Sequence, residues 1–175
     1  MPYPTYNGSQ AEQGWSGTSF LRGGGNVPFG TTYSTTQTAY TQVDASLTWE
    51  GVIPFGFSLN VNAGGTCSIA GGTNILIAVG LVDLGATAGG GYNQPYDEQR
   101  LIVPSSSVQV GFNLNYLWPG DDLAHVITLA FRTSNGSDAA QILNDSAAHT
   151  PTMLVQLIQT NLGSGQYNSP KAPWL

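Results

Sequence analysis

The stretch Val108-Gln109-Val110-Gly111-Phe112-Asn113-Leu114-Asn115-Tyr116 constrains this chain more than any other. Apolar Val108, Val110, Phe112, Leu114 and Tyr116 alternate with Gln109, Gly111, Asn113 and Asn115. A period of two is the signature of a β-strand with one face buried, because a helix would scatter the same apolar side chains around its circumference. Phe57, Leu59 and Val61 alternate with Ser58, Asn60 and Asn62 in the same way. Ala45, Leu47 and Trp49 mark a shorter strand over 44–49, Leu101 and Val103 lie in a short run ending at Pro104, and Ile127, Leu129 and Phe131 share one face of 125–133. Gly, Pro and Asn turn signals separate these runs about every 10–15 residues, a spacing typical of sandwiches. The expectation is an all-β chain: an antiparallel β-sandwich or jelly roll of about eight strands. Residues 137–143 are the best place for a turn or two of helix, with an irregular strand opening at Asn135-Gly136 as the alternative.

Two runs depart from alternation. Residues 75–82, Ile-Leu-Ile-Ala-Val-Gly-Leu-Val, are apolar on both faces, and 153–158 nearly so. A strand apolar on both sides needs cover on both. In a sandwich the outer face is normally wet, so the second cover is expected from an arm of the chain or from another subunit.

The ends differ from the middle. Residues 1–40 form an extended N-terminal arm with Gly23-Gly24-Gly25, several prolines and few aliphatic side chains, and little regular structure is expected there. Yet the arm carries Tyr3, Tyr6, Trp15, Phe20, Phe29, Tyr33 and Tyr40. Spaced aromatics on an irregular segment suit anchors in the grooves of a neighbour, the alternative being that the arm folds back on its own body. Residues 41–160 are the sandwich body. Residues 161–175 form a short docking tail, hinged at Gly163-Ser164-Gly165 and anchored by Tyr167, Trp174 and Leu175.

Composition narrows the function. Only 8% of residues are charged, and four basic against ten acidic residues give a net charge of −6. Four cations cannot neutralise a row of phosphates, which argues against nucleic acid. No apolar run reaches the roughly 20 residues of a membrane helix. The single Cys67 forms no internal disulfide, and residues 1–5 show no secretory leader pattern. With so few ion pairs available, assembly should depend on apolar burial and survive about 1 M salt.

Catalytic patterns are sparse. Ser16 and Ser164 lack the spacing of a nucleophile elbow. His125 and His149 are the two candidate bases. Asp97-Glu98 and Asp121-Asp122 are adjacent acidic pairs that read as turn residues, and the spacing of Asp121, Asp122 and His125 matches no established cation site. Cys67 reads as a packed, inert thiol. The glycine loop over 85–91 is not a phosphate loop; Tyr92 and Tyr96 just after it are placed to contact a sugar, a receptor or a neighbouring subunit. No cofactor and no metal is expected.

Three stretches carry a resemblance: 103–116; Pro119-Gly120-Asp121-Asp122 through the His-x-Ile-x-Leu-x-Phe-Arg strand at 125–132; and the closing run 152–158. Together they resemble the last strands of jelly-roll knob domains in tailed-bacteriophage virion proteins, a plan shared with tumour necrosis factor-like trimers. The resemblance spans about a third of the chain and is one of strand spacing. It implies a non-catalytic virion component, trimeric, whose partners are copies of itself and other virion proteins. The lack of heptads or a collagen-like repeat favours a compact piece on the capsid exterior or tail tip, as a decoration or minor tail protein. The alternative is an adhesin module that binds a host-surface glycan through Tyr92 and Tyr96.

Overall fold

A computed structural model of the chain describes residues 19–26, 30–85 and 95–159. The strands are β1 (Ser19–Asn26), β2 (Tyr33–Thr35), β3 (Thr41–Gln42), β4 (Thr48–Val52), β5 (Phe57–Ile69), β6 (Ile75–Asp83), β7 (Pro95–Val103), β8 (Val110–Pro119), β9 (Ala124–Thr133), β10 (Ala140–Ile142) and β11 (Thr152–Gln159). Eight of them are five residues or longer. All pairings are antiparallel.

The pairing of the eight long strands is nested. β1 pairs β11, β4 pairs β9, β5 pairs β8 and β6 pairs β7, so first meets last, second meets seventh, third meets sixth and fourth meets fifth. That is one long antiparallel ribbon. It is rolled up because β11 also pairs β5 and β9 also pairs β6. One sheet then reads β1-β11-β5-β8, and the other β4-β9-β6-β7. This rolled ribbon is the jelly roll, a two-sheet answer to the problem of open edges. Short β10 and β2 extend the first sheet beside β5, and β3 lies beside β9.

The alternation read from the sequence sets which side chains enter the core. Leu59, Val61 and Ala63 of β5, Phe112, Leu114 and Trp118 of β8, Met153, Val155 and Leu157 of β11, and Ile127, Leu129 and Phe131 of β9 meet in one buried cluster. The edge of β8 is covered from the opposite sheet: the Asp97 and Gln99 side chains of β7 accept the Asn115 and Asn113 backbone N–H groups, both at 2.9 Å. These bonds satisfy edge donors that would otherwise invite another strand.

Several expectations need correction. Segment 1–40, where little regular structure was expected, carries β1 and β2, and both join the sheet of β5. Residues 45–47 form a 3₁₀ turn rather than the start of a strand, because the Asp44 side chain captures the Ser46 N–H and closes the turn. Cys67 lies near the end of the long strand β5 and is fully buried. Of the two readings of 137–143, the irregular strand is found, as β10.

The two doubly apolar runs resolve differently. β6 is covered on both faces by its own chain. Its outward Ala78 and Val82 form a second small core with Ala130 of β9 and Tyr40, a residue of the N-terminal segment. Outward Leu154 of β11, in contrast, is half exposed.

Candidate functional site

The turns after β4 and β8 meet the end of β6 at one end of the roll, and His125 ties them together. His125 opens β9 and is buried. Its Nδ1 lies 2.5 Å from Oδ2 of fully buried Asp83, and its Nε2 lies 2.9 Å from Oδ1 of Asp121. Asp83 Oδ1 also accepts the N–H groups of Gly85 (2.8 Å) and Val126 (3.0 Å). Burial alone would lower the imidazole pKa, but the bonds to Asp121 and Asp83 outweigh it and hold the group above its ordinary 6.5. Burial likewise tends to raise Asp121, but the hydrogen bond from His125, the Leu123 N–H and the His125 charge together outweigh it, leaving that carboxyl below 3.8. Both ring nitrogens are thus engaged by carboxylates, an arrangement that pins a loop to two strands.

The adjacent turn is held just as firmly. Asp122 adopts a left-handed backbone (φ 59°), a conformation that a short polar side chain tolerates, and its carboxylate accepts the Phe55 N–H at 2.8 Å. The Asp121 and Asp122 N–H groups both reach the Ile53 carbonyl. Phe55, Val52 and Leu123 consequently stand out from a rigid frame, Phe55 with 68% of its surface exposed. The sequence reading did not select Phe55; an aromatic between Pro54 and Gly56 was the available signal.

The sites named from sequence fall as follows. Tyr33 packs on the main core, and its hydroxyl donates to Asp44 at 2.9 Å. Tyr40 is buried over the outer face of β6 and β9. For these two, folding back on the same chain is what is observed. Tyr96 is not a loop residue but the second residue of β7. It is the extra residue of a bulge, since Leu81 faces Asp97 and Val82 faces Pro95. The bulge places its ring 5.5 Å from Tyr116 and 5.2 Å from Trp118. Phe20 falls within β1, and nothing is described of its side chain. Tyr3, Tyr6, Trp15, Phe29, Tyr92, Tyr167, Trp174 and Leu175 lie outside the described residues. Asp121 and His125 meet, while Asp122 turns to Phe55; among the described residues no three His, Cys, Asp or Glu side chains are grouped to hold a metal ion. His149 sits beside Asp145, 2.6 Å from its Oδ1. Among the described residues no helix is long and apolar enough to cross a membrane.

The surface that stands out is the outer face of the β11-β5-β8 sheet. With Leu59, Val61, Leu114 and Val155 pointing inward, the alternate residues point out. The register places Leu154, Asn62 and Asn115 in one row, and Gln156, Asn60 and Leu117 in the next. Asn115 donates to Asn62 across the strands. β5, β8 and β11 contain no Asp, Glu, Lys, Arg or His. Leu117 and Leu154 are each about half exposed on this face. A shallow depression of about 560 Å³ runs over Gly64 and Gly65, bordered by Asn62, Asn113, Thr152 and Leu154. Amides cost far less to dehydrate than ionised groups, and depletion of charge marks the centres of protein interfaces.

No family model and no curated protein matches the sequence. Among solved structures the chain is similar to one of infectious bursal disease virus, Gx strain, at a TM-score of 0.42 and 11% identity. That likeness covers 83% of this chain and 37% of the other, so the chain spans well under half of that neighbour's length. What the strand order defines is an all-β, two-sheet jelly roll.

Proposed function

We propose that the chain is a non-catalytic structural component of a bacteriophage virion, assembling as a trimer on the capsid exterior or tail tip. The observation that carries this reading is the charge-free outer face of β11, β5 and β8 with its two half-exposed leucines. A solitary soluble sandwich ordinarily wets such a face with charged side chains; one that covers it with neighbours has no need of them. The jelly roll is a plan used by capsid and lectin domains, and the strand-spacing resemblance to phage knob domains points the same way. Copies of the chain and other virion proteins are the partners.

Sedimentation velocity tests the reading. The wild-type chain should associate as concentration rises, toward a mass three times the 18.3 kDa of one chain. The double substitution Leu117→Asp/Leu154→Asp should leave a folded monomer. Wild-type and variant chains that both stay monomeric at high concentration would contradict the proposal.

A further inference from the structure

The outer face of the other sheet holds a cleft of a different kind. Arg100 of β7 and Arg132 of β9 both stand opposite Ala78 of the central strand β6, so one row reads Arg100–Ala78–Arg132. The next row on this face reads Glu98–Gly80–Ala130. Small residues along β6 let Tyr40 lie over Ala78 and Gly80: a Cβ at Gly80 would lie 2.8 Å from Pro95 Cβ, 3.1 Å from the Asp97 carbonyl oxygen and 3.3 Å from Tyr40 Cε1. Beside the Tyr40 ring is a cavity of about 400 Å³, the lower range of small-ligand sites, lined by Thr38, Tyr40, Pro95, Glu98, Arg100 and Arg132.

Its electrostatics oppose those of the molecule. Two guanidinium groups face one carboxylate, so the cleft is positive on a chain of net charge −6. Glu98 is strongly engaged: it accepts the Tyr40 hydroxyl and Arg100 Nε, and Arg132 lies 3.6 Å from it. Arg132 is held in place, its guanidinium 5.1 Å from the centre of the Tyr40 ring and one amino group reaching the Thr38 carbonyl at 3.5 Å. Arg100 uses only its Nε among the described residues, and its side chain is 63% exposed. Its terminal amino groups remain available, in the forked geometry that matches a carboxylate.

We propose that this cleft binds a small hydroxylated carboxylate with the chemistry of an acidic sugar. The ligand carboxylate meets the terminal amino groups of Arg100, with the charge of Arg132 nearby, Thr38 as a partner for a neighbouring hydroxyl group and the Pro95 ring as an apolar wall. The proposal does not depend on how or where the chain assembles.

NMR titration of the folded chain, following the arginine Nε–H signals, tests it with three probes: glucuronate, glucose and acetate. Glucuronate should shift both arginine signals and bind with a Kd of about 1 mM or tighter. Glucose should not bind. Acetate should bind at least about tenfold more weakly, because it lacks the hydroxyl groups. Arg100→Gln, at an exposed position that leaves the urea midpoint unchanged, should weaken glucuronate about tenfold or more. Failure of glucuronate to bind, equal binding of acetate or glucose, or undiminished binding by Arg100→Gln would each overturn the proposal.

Discussion

Replacing Asp83 by alanine tests whether the end of the roll is held as described. In the folded chain this carboxylate is fully buried and receives the Gly85 N–H, the Val126 N–H and His125 Nδ1. Alanine leaves all three polar groups without that acceptor. Each orphaned buried group costs about 1–3 kcal/mol, and removing one partner of a buried charged pair costs about 3–5 kcal/mol. The contributions overlap, since water entering the void recovers part of the loss, so a net destabilisation of about 3–5 kcal/mol is expected. Against a typical total of about 5–15 kcal/mol this is a large fraction. Asp83→Asn behaves differently: its amide oxygen still accepts the two backbone N–H groups, and its amide nitrogen donates to a neutral imidazole, for a loss of about 1–2 kcal/mol. Urea unfolding followed by the fluorescence of buried Trp49 and Trp118 measures both. A loss below about 1 kcal/mol for the alanine variant, or equal losses for alanine and asparagine, would refute the reasoning.

The same cluster makes stability depend on pH. The raised His125 contributes stability that is full below 6.5 and lost as pH rises through its folded value, whereas the depressed Asp121 contributes stability that is full above 3.8 and lost as pH falls through its folded value. Urea midpoints should therefore peak between the two ranges, and Asp121→Asn should flatten the alkaline limb; a midpoint that climbs steadily above 6.5 would contradict this. Gly120→Ala places a Cβ 2.0 Å from the Pro54 carbonyl oxygen and 2.5 Å from that of Phe57. Both are backbone atoms, so the turn must open, and a loss of about 3 kcal/mol is expected in the same unfolding assay. Burial pushes the Cys67 thiol up to about 12, so a thiol reagent such as DTNB should leave it unmodified in the folded chain and react fully in urea.

The all-β class was legible because alternation is local. Val110, Phe112 and Leu114 announce their face without any knowledge of their partners, and the same holds for Leu59 and Val61. Strand order was not legible, because the nested pairing joins residues as distant as Ser19 and Ile158, and nothing within either segment encodes the other. The N-terminal segment misled for a related reason. Gly23-Gly24-Gly25 weakens any intrinsic strand preference, yet β11 supplies the hydrogen bonds from outside. The second cover of β6 was legible as a need, while its source in Tyr40 was not. At the candidate site, Asp121 and His125 were visible four residues apart, but Asp83 joined them only through the fold. The arginine row was invisible for the same reason, since Arg100 and Arg132 meet only because both pair with Ala78.

The proposed role is tested most directly by a cryo-electron microscopy map of the assembly that this chain forms. The account predicts density of a neighbouring subunit over the rows Leu154–Asn62–Asn115 and Gln156–Asn60–Leu117. A map in which that sheet face meets only solvent in every copy would contradict it.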